Sequence, residues 1–182
     1  MWSRRKEGAA SPFRREALAY LDALHSFARY LSGDERDADD LVQETYARAF
    51  AAVEQFTPGS NLQAWLFRIL RNLFIDRYRR AKGGPIASLS IDALDESGAP
   101  SVPAGTPDPD AVTSADVQAA MMALPEPSRT IVLLDLEGMN DDEMATILGC
   151  ASGTVKSRLF RARAALRELL KDYAPARRPH GL

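Results

Sequence analysis

Asn140-Asp141-Asp142-Glu143-Met144-Ala145-Thr146-Ile147-Leu148-Gly149-Cys150-Ala151-Ser152-Gly153-Thr154-Val155-Lys156-Ser157-Arg158-Leu159-Phe160-Arg161-Ala162 is the stretch whose reading decides the fold. It opens on a polar cap residue, Asn140, with a glutamate three positions on, the pattern that satisfies orphan N–H groups at a helix start. Met144, Ile147 and Leu148 then fall on one face, and Gly149 stops the helix. After a three-residue turn, Ser152 is placed to cap a second helix. In it Val155, Leu159, Ala162, Leu166 and Leu169 recur at intervals of four, three, four and three. Helix, glycine-containing turn, helix is a form in which the second helix enters the major groove of duplex DNA.

The outward face of that second helix carries the chemistry. With Val155, Leu159 and Ala162 inward, Lys156, Ser157, Phe160 and Arg161 share the opposite side, and Thr154 and Arg158 flank it. Lysine and arginine pair with guanine O6 and N7, serine with several bases, and an apolar ring with a thymine methyl. Cations near a helix end are also what dipole compensation produces. Phe160 separates the two readings, because an aromatic residue set among cations on a solvent face exposes apolar surface and marks a partner.

Working outward, the residues before this motif repeat the helical period. Ala17, Leu21, Leu24, Ala28 and Leu31 predict a helix over 13–31, ended by Gly33 and Asp34. Ala38, Leu41, Val42, Thr45, Ala49 and Ala52 predict a second over 38–53, with Asp37, Asp39 and Asp40 in the dipole-favoured first turn. Thr57-Pro58-Gly59-Ser60 breaks the chain, and a third helix is expected over 62–80, burying Trp65, Leu66, Ile69, Leu73 and Ile75. Over 83–113 periodicity disappears. Glycine, proline and serine punctuate that segment, and its charges are Asp92, Asp95, Glu96, Asp108 and Asp110 with no lysine or arginine, the composition of an extended, solvated linker. Helical pattern resumes over 114–124 and 126–137, with Pro125 and Pro127 at the tolerated start. The fold class expected is all-α: two small helical domains, 1–82 and 114–182, joined by a flexible linker, 83–113.

The net charge of -2 argues weakly against a nucleic-acid partner until its distribution is considered. Arg68, Arg71, Arg77, Arg79, Arg80 and Lys82 cluster against Asp76 alone, and Lys156, Arg158, Arg161, Arg163, Arg167 and Lys171 against Glu168 alone. The one cysteine, Cys150, excludes an internal disulfide or a cysteine-rich zinc site and suits a reducing compartment. Arg4, Arg5 and Lys6 are followed by no apolar signal core, and no run reaches membrane-spanning length, so a cytoplasmic protein without membrane insertion is expected. His25 and His180 accompany no carboxylate set spaced for a metal, and no nucleophile with a base is visible, so neither metal, cofactor nor enzymatic activity is expected.

Several motifs in order carry a family resemblance. Leu136-Glu137-Gly138, Ile147-Leu148-Gly149-Cys150 and Gly153-Thr154-Val155-Lys156-Ser157-Arg158-Leu159-Phe160-Arg161-Ala162-Arg163 resemble region 4 of the extracytoplasmic-function (ECF) sigma factors. Asp37-Ala38-Asp39-Asp40-Leu41-Val42-Gln43-Glu44-Thr45 resembles their region 2.2. Asn61-Leu62-Gln63-Ala64-Trp65-Leu66-Phe67-Arg68-Ile69-Leu70-Arg71-Asn72 and Asp76-Arg77-Tyr78-Arg79-Arg80 resemble regions 2.3 and 2.4. The likeness spans the chain except the residues before Phe13, the linker and the end after Tyr173. Departures are Asn140-Asp141, where a serine and an aromatic residue are common, and Ala151-Ser152, where a proline and an apolar residue often stand.

The resemblance implies a sigma-type transcription initiation factor with core RNA polymerase, promoter DNA and an anti-sigma factor as partners. Asp40, Gln43 and Glu44 would dock on the clamp helices of the large polymerase subunit. Ser60, Asn61, Arg68 and Asn72 would hold a base flipped from the minus-10 strand, which amide, hydroxyl and cationic groups suit. Arg77, Arg79 and Arg80 are assigned to nearby phosphates. Thr154, Lys156, Ser157, Arg158, Phe160 and Arg161 would read the minus-35 duplex. Phe56 and Trp65 are read as core rather than stacking platforms. The acidic linker resembles the segment that threads the RNA channel, and a plain tether is the other reading. A stand-alone helix-turn-helix regulator explains only the C-terminal half, and a DNA-acting enzyme finds no catalytic constellation.

Overall fold

The computed structural model describes residues 12–81 and 114–171, and among them it contains helices and short connections with no strand. The expected linker over 83–113, Lys82 and His180 lie outside the described residues.

The helix expected over 13–31 divides in two. A first helix, α1, covers 12–18 and turns Phe13 and Ala17 inward. The chain then breaks at Ala19 and Tyr20, where the Ala17 carbonyl accepts the Tyr20 N–H at 3.1 Å and the Tyr46 hydroxyl at 2.9 Å. Helix α2 (Leu21–Ser32) buries Leu24, Phe27, Ala28 and Leu31 and ends on Gly33, whose φ of 76° is left-handed backbone that glycine adopts without a Cβ penalty. Asp34 caps α3 (Glu35–Ala51), its carboxylate accepting the N–H groups of Arg36 and Asp37 at 2.9 and 3.1 Å, so α3 begins three residues ahead of the expected start.

A single 3₁₀ turn (Val53–Gln55) leads to α4 (Leu62–Ala81), where Asn61 Oδ1 accepts the Ala64 N–H at 3.1 Å. Phe56 and Trp65 pack on Phe13, with ring centroids 5.6 and 6.1 Å away, as the core reading expected. Then come α5 (Ser114–Ala123), α6 (Glu126–Leu136), α7 (Asp141–Leu148) and α8 (Ser152–Leu169). Asn140 and Glu143 form the anticipated capping box. The cap expected of Ser152 is not made: Ala151 holds the extended N-cap position and Ser152 is already the first helical residue.

The two halves pack together. Helix α4 lies against α7, and α2 lies against α5 and α6, so the buried apolar residues of both halves form one continuous cluster. Each half also sends one buried arginine into a helix end of the other. Arg71 of α4 donates to the Ile147 carbonyl in the last turn of α7 at 3.3 Å. Arg129 of α6 donates to the Tyr30 and Leu31 carbonyls in the last turn of α2 at 2.7 and 3.3 Å. Helix C-termini present unpaired carbonyls and partial negative charge, which is what a guanidinium with five donors satisfies.

Candidate nucleic-acid interface

Helix α8 buries one face and turns a polar, cationic one outward. Val155 and Ala162 are buried and Leu159 half-buried, which turns Lys156, Ser157, Phe160 and Arg161 to solvent. Phe160 is 71% exposed, an unusual state for a phenylalanine and the opposite of its core preference. Lys156 Nζ stands 3.6 Å from Asp141 Oδ2 across the turn, and the Ser157 hydroxyl donates to the Thr154 carbonyl at 3.0 Å. The six residues expected to face DNA therefore divide. Lys156, Ser157, Phe160 and Arg161 share the open face, Thr154 is half-buried at its edge, and Arg158 is buried at 6% exposure on the inner side of the helix.

On α3, Asp40 and Gln43 are exposed and Glu44 is half-buried. Glu44 accepts Arg48 and Arg77 hydrogen bonds, each at 2.7 Å, and Arg77 also donates to the Asp40 carbonyl at 3.3 Å. The bond from Arg77 above all, with Arg48 adding to it, holds the Glu44 carboxyl below the usual carboxylate range against the opposing effect of burial. Arg77, expected on phosphates, is thus joined to the acidic face, whereas Arg79 and Arg80 are exposed.

From the position just before α4 along the helix, Asn61, Arg68 and Asn72 are spaced seven and four apart and exposed, and the Ser60 hydroxyl donates to the Thr57 carbonyl at 2.7 Å in the preceding loop. A cleft of about 450 Å³ separates this side of α4 from α7, with Arg68, Asn72 and Arg79 on one wall and Thr146 and Gly149 on the other. The amide of Asn61 spans to the second half, donating to Glu143 at 2.7 Å. No group of three or more His, Cys, Asp or Glu side chains among the described residues is placed to hold a metal ion.

This arrangement has counterparts. Residues 17–83 match the family Sigma-70 region 2, and residues 114–166 match Sigma-70, region 4. The ECF RNA polymerase sigma factor EcfG of Rhodopseudomonas palustris is 39% identical over 168 residues, which cover 89% of this chain and 90% of that protein. The chain belongs to the ECF sigma factors.

Two solved structures resemble this ECF sigma factor across both halves. One is the sigma factor RpoE in complex with the anti-sigma factor NepR from Bartonella quintana, with a TM-score of 0.69, 37% identity and coverage of 88% of this chain and 97% of that one. The other is CnrH in complex with the cytosolic domain of CnrY, with a TM-score of 0.63, 30% identity and coverage of 91% and 94%. Sigma factors are DNA-binding transcription initiation factors rather than enzymes, and the similarity running through both halves does not favour a stand-alone regulator. No helix among the described residues is long and apolar enough to cross a membrane.

Two buried cations of this sigma factor carry no plain mark in the sequence. Arg71 belongs to a basic helical stretch and Arg129 to no charge cluster, yet both are buried. Burial lowers the affinity of each guanidinium for its proton, and the nearby Glu126 carboxylate opposes that effect, standing 3.5 Å from Arg71. Their spacing offered a partial signal, since both lie among apolar residues at helical period, but their acceptors are carbonyls distant in sequence.

Proposed function

We propose that this ECF sigma factor binds core RNA polymerase in the cytoplasm and brings it to promoters through two DNA contacts. The duplex contact is α8, with Lys156, Ser157, Phe160 and Arg161 on minus-35 base edges and Thr154 at their margin. Phe160, exposed between cations on the face that a major groove would receive, is the observation that carries the reading. Arg158, buried, supports the helix instead of reading bases.

The second contact is α4 with its preceding loop. Ser60, Asn61, Arg68 and Asn72 offer hydroxyl, amide and guanidinium groups to a base extruded from the minus-10 strand, and Arg79 and Arg80 follow its phosphates. Arg77 serves the neighbouring face by fixing the Glu44 carboxylate. Asp40, Gln43 and Glu44 then dock on the clamp helices of the large polymerase subunit. Residues 1–82 form the polymerase-binding and melting unit, 114–182 the duplex-reading unit, and 83–113 the tether. An anti-sigma factor is the expected regulator, since the sigma factor RpoE is bound to the anti-sigma factor NepR and CnrH is likewise held in a complex, with the cytosolic domain of CnrY.

Run-off transcription with core polymerase tests the assignment. Initiation at a promoter selected by the reconstituted holoenzyme is the expected result. Absence of initiation at every selected site, with tight duplex binding by the chain alone, would return it to the stand-alone class.

A further inference from the structure

We propose that Asp141, the first residue of α7, is a positioning residue for base reading: it turns Lys156 away from the DNA backbone and towards one base pair of the minus-35 element. This rests on the assignment of α8 to the duplex, and it adds a specificity determinant from the other helix of the motif.

The observation is a charge pair across the turn. Asp141 is half-buried at the start of α7, where the capping box of Asn140 and Glu143 fixes the chain. Lys156 is exposed in the second turn of α8. Asp141 Oδ2 and Lys156 Nζ stand 3.6 Å apart. The carboxylate sits on a short stem from a fixed helix end, whereas the ammonium ends a flexible four-carbon stem. The aspartate therefore sets the place and the lysine follows it. Glu143, in the same turn, is engaged elsewhere: one oxygen accepts the Asn140 N–H and the other the Asn61 amide.

The consequence lies in the way a helix-turn-helix docks. Its first helix crosses the sugar-phosphate backbone while its second enters the major groove. Lys156 then has two kinds of acceptor within reach, a phosphate and a base edge, and only the second carries sequence information. A carboxylate at the backbone crossing repels phosphate and leaves guanine O6 and N7 as the better acceptors. In the free chain water and salt screen the pair, so it adds little stability and does not hold the lysine back from DNA. Once the groove displaces that water, the same charges act more strongly. Asp141 thus gives up some backbone attraction and gains discrimination, a repulsive element working for specificity. Since an aromatic residue is common at this position in the family, the restraint belongs to this chain's own sequence.

Competition binding of the reconstituted holoenzyme to every single-base variant of the minus-35 element, repeated over a range of salt, tests this. The parent is compared with Asp141→Ala, with Asp141→Asn, which keeps the side-chain size, and with each of these combined with Lys156→Ala. Both single Asp141 variants should bind all sequences more tightly at low salt, with a salt slope steeper by about one phosphate contact. They should also lose about three- to tenfold of the preference at the base pair that Lys156→Ala flattens. In the Lys156→Ala background, removal of the carboxylate should leave every base preference as it is. Unchanged base preferences in both Asp141 variants overturn the proposal, and so does a flattening that persists without Lys156. Where Lys156→Ala itself flattens no base pair, the assignment of Lys156 to base reading fails first and takes the role of Asp141 with it.

Discussion

Asn61 and Glu143 lie 82 positions apart and share a hydrogen bond of 2.7 Å, made by one carboxylate oxygen of Glu143. The other oxygen accepts the Asn140 N–H at 2.9 Å and closes the capping box of α7. One carboxylate therefore stabilises the start of the helix-turn-helix and occupies a side chain proposed to hold an unpaired base. Glu143→Ala should cost about 1 kcal/mol through the lost cap and lower the melting temperature accordingly. Despite that cost, single-strand binding by the free chain should rise, because Asn61 is released. A fluorescence titration in which the variant binds the strand no better than the parent would show that the bond does not restrain Asn61.

Lys156 and Arg161 should behave as base readers. The Lys156 contact with Asp141 is a 3.6 Å pair with the lysine 78% exposed, so leaving it for DNA costs little. Lys156→Ala and Arg161→Ala should each remove about 1 to 3 kcal/mol of discrimination at one base pair of the minus-35 element. Competition binding of the holoenzyme to single-base variants measures this directly. Equal weakening on every sequence would mean phosphate contact instead.

Legibility in the sequence followed the range of the interactions. The helices of the described residues were readable because their apolar residues recur at the helical period, and the Asn140–Glu143 box because it is local. The break before Leu21 was not readable, since the Ala17 carbonyl is drawn to a hydroxyl 29 positions away. Arg71 and Arg129 were hidden for the same reason: Arg71 belongs to a basic stretch and Arg129 to no charge cluster, and what buries both is a set of helix-end carbonyls in the other half, distant in sequence. The outward face of α8 was legible, with Phe160 exposed as expected, but Arg158 was not, because its position lies at the boundary of the buried stripe.

Asp40 and Glu44 present the charge proposed for polymerase docking, and Arg77 keeps that of Glu44 in place. Loss of both carboxylates should weaken core binding in a pull-down while leaving minus-35 duplex affinity unchanged, and intact core binding would make the acidic face merely solvated. Because the Glu44 carboxyl titrates below its ordinary range, its ion pair is fully present above that range. It is lost only as pH falls through the lowered value, so core binding should persist through mild acid. In Arg77→Ala the main lowering influence is gone, and the loss of binding should move to higher pH.

Tyr46 connects the first helix to the bundle from within. Its hydroxyl donates to the Ala17 carbonyl at 2.9 Å, its ring lies 5.6 Å from that of Phe50, and the residue is 8% exposed. Tyr46→Phe keeps the ring and leaves the carbonyl with the Tyr20 N–H alone, so it should cost about 1 kcal/mol near neutral pH. Burial first, and the charge of Asp22 second, push the phenol from 10.0 up to about 12. A raised folded-state value means that the folded chain holds this proton more tightly than the unfolded one. The stabilisation is therefore whole below the ordinary value and lost as pH climbs towards the raised one. Chemical denaturation of both chains at about pH 9 and about pH 11.5 should show the parent's advantage shrinking at the higher pH, while other tyrosines affect both equally. A constant difference would mean that Tyr46 ionises as it does in the unfolded chain, and that its burial carries no such penalty.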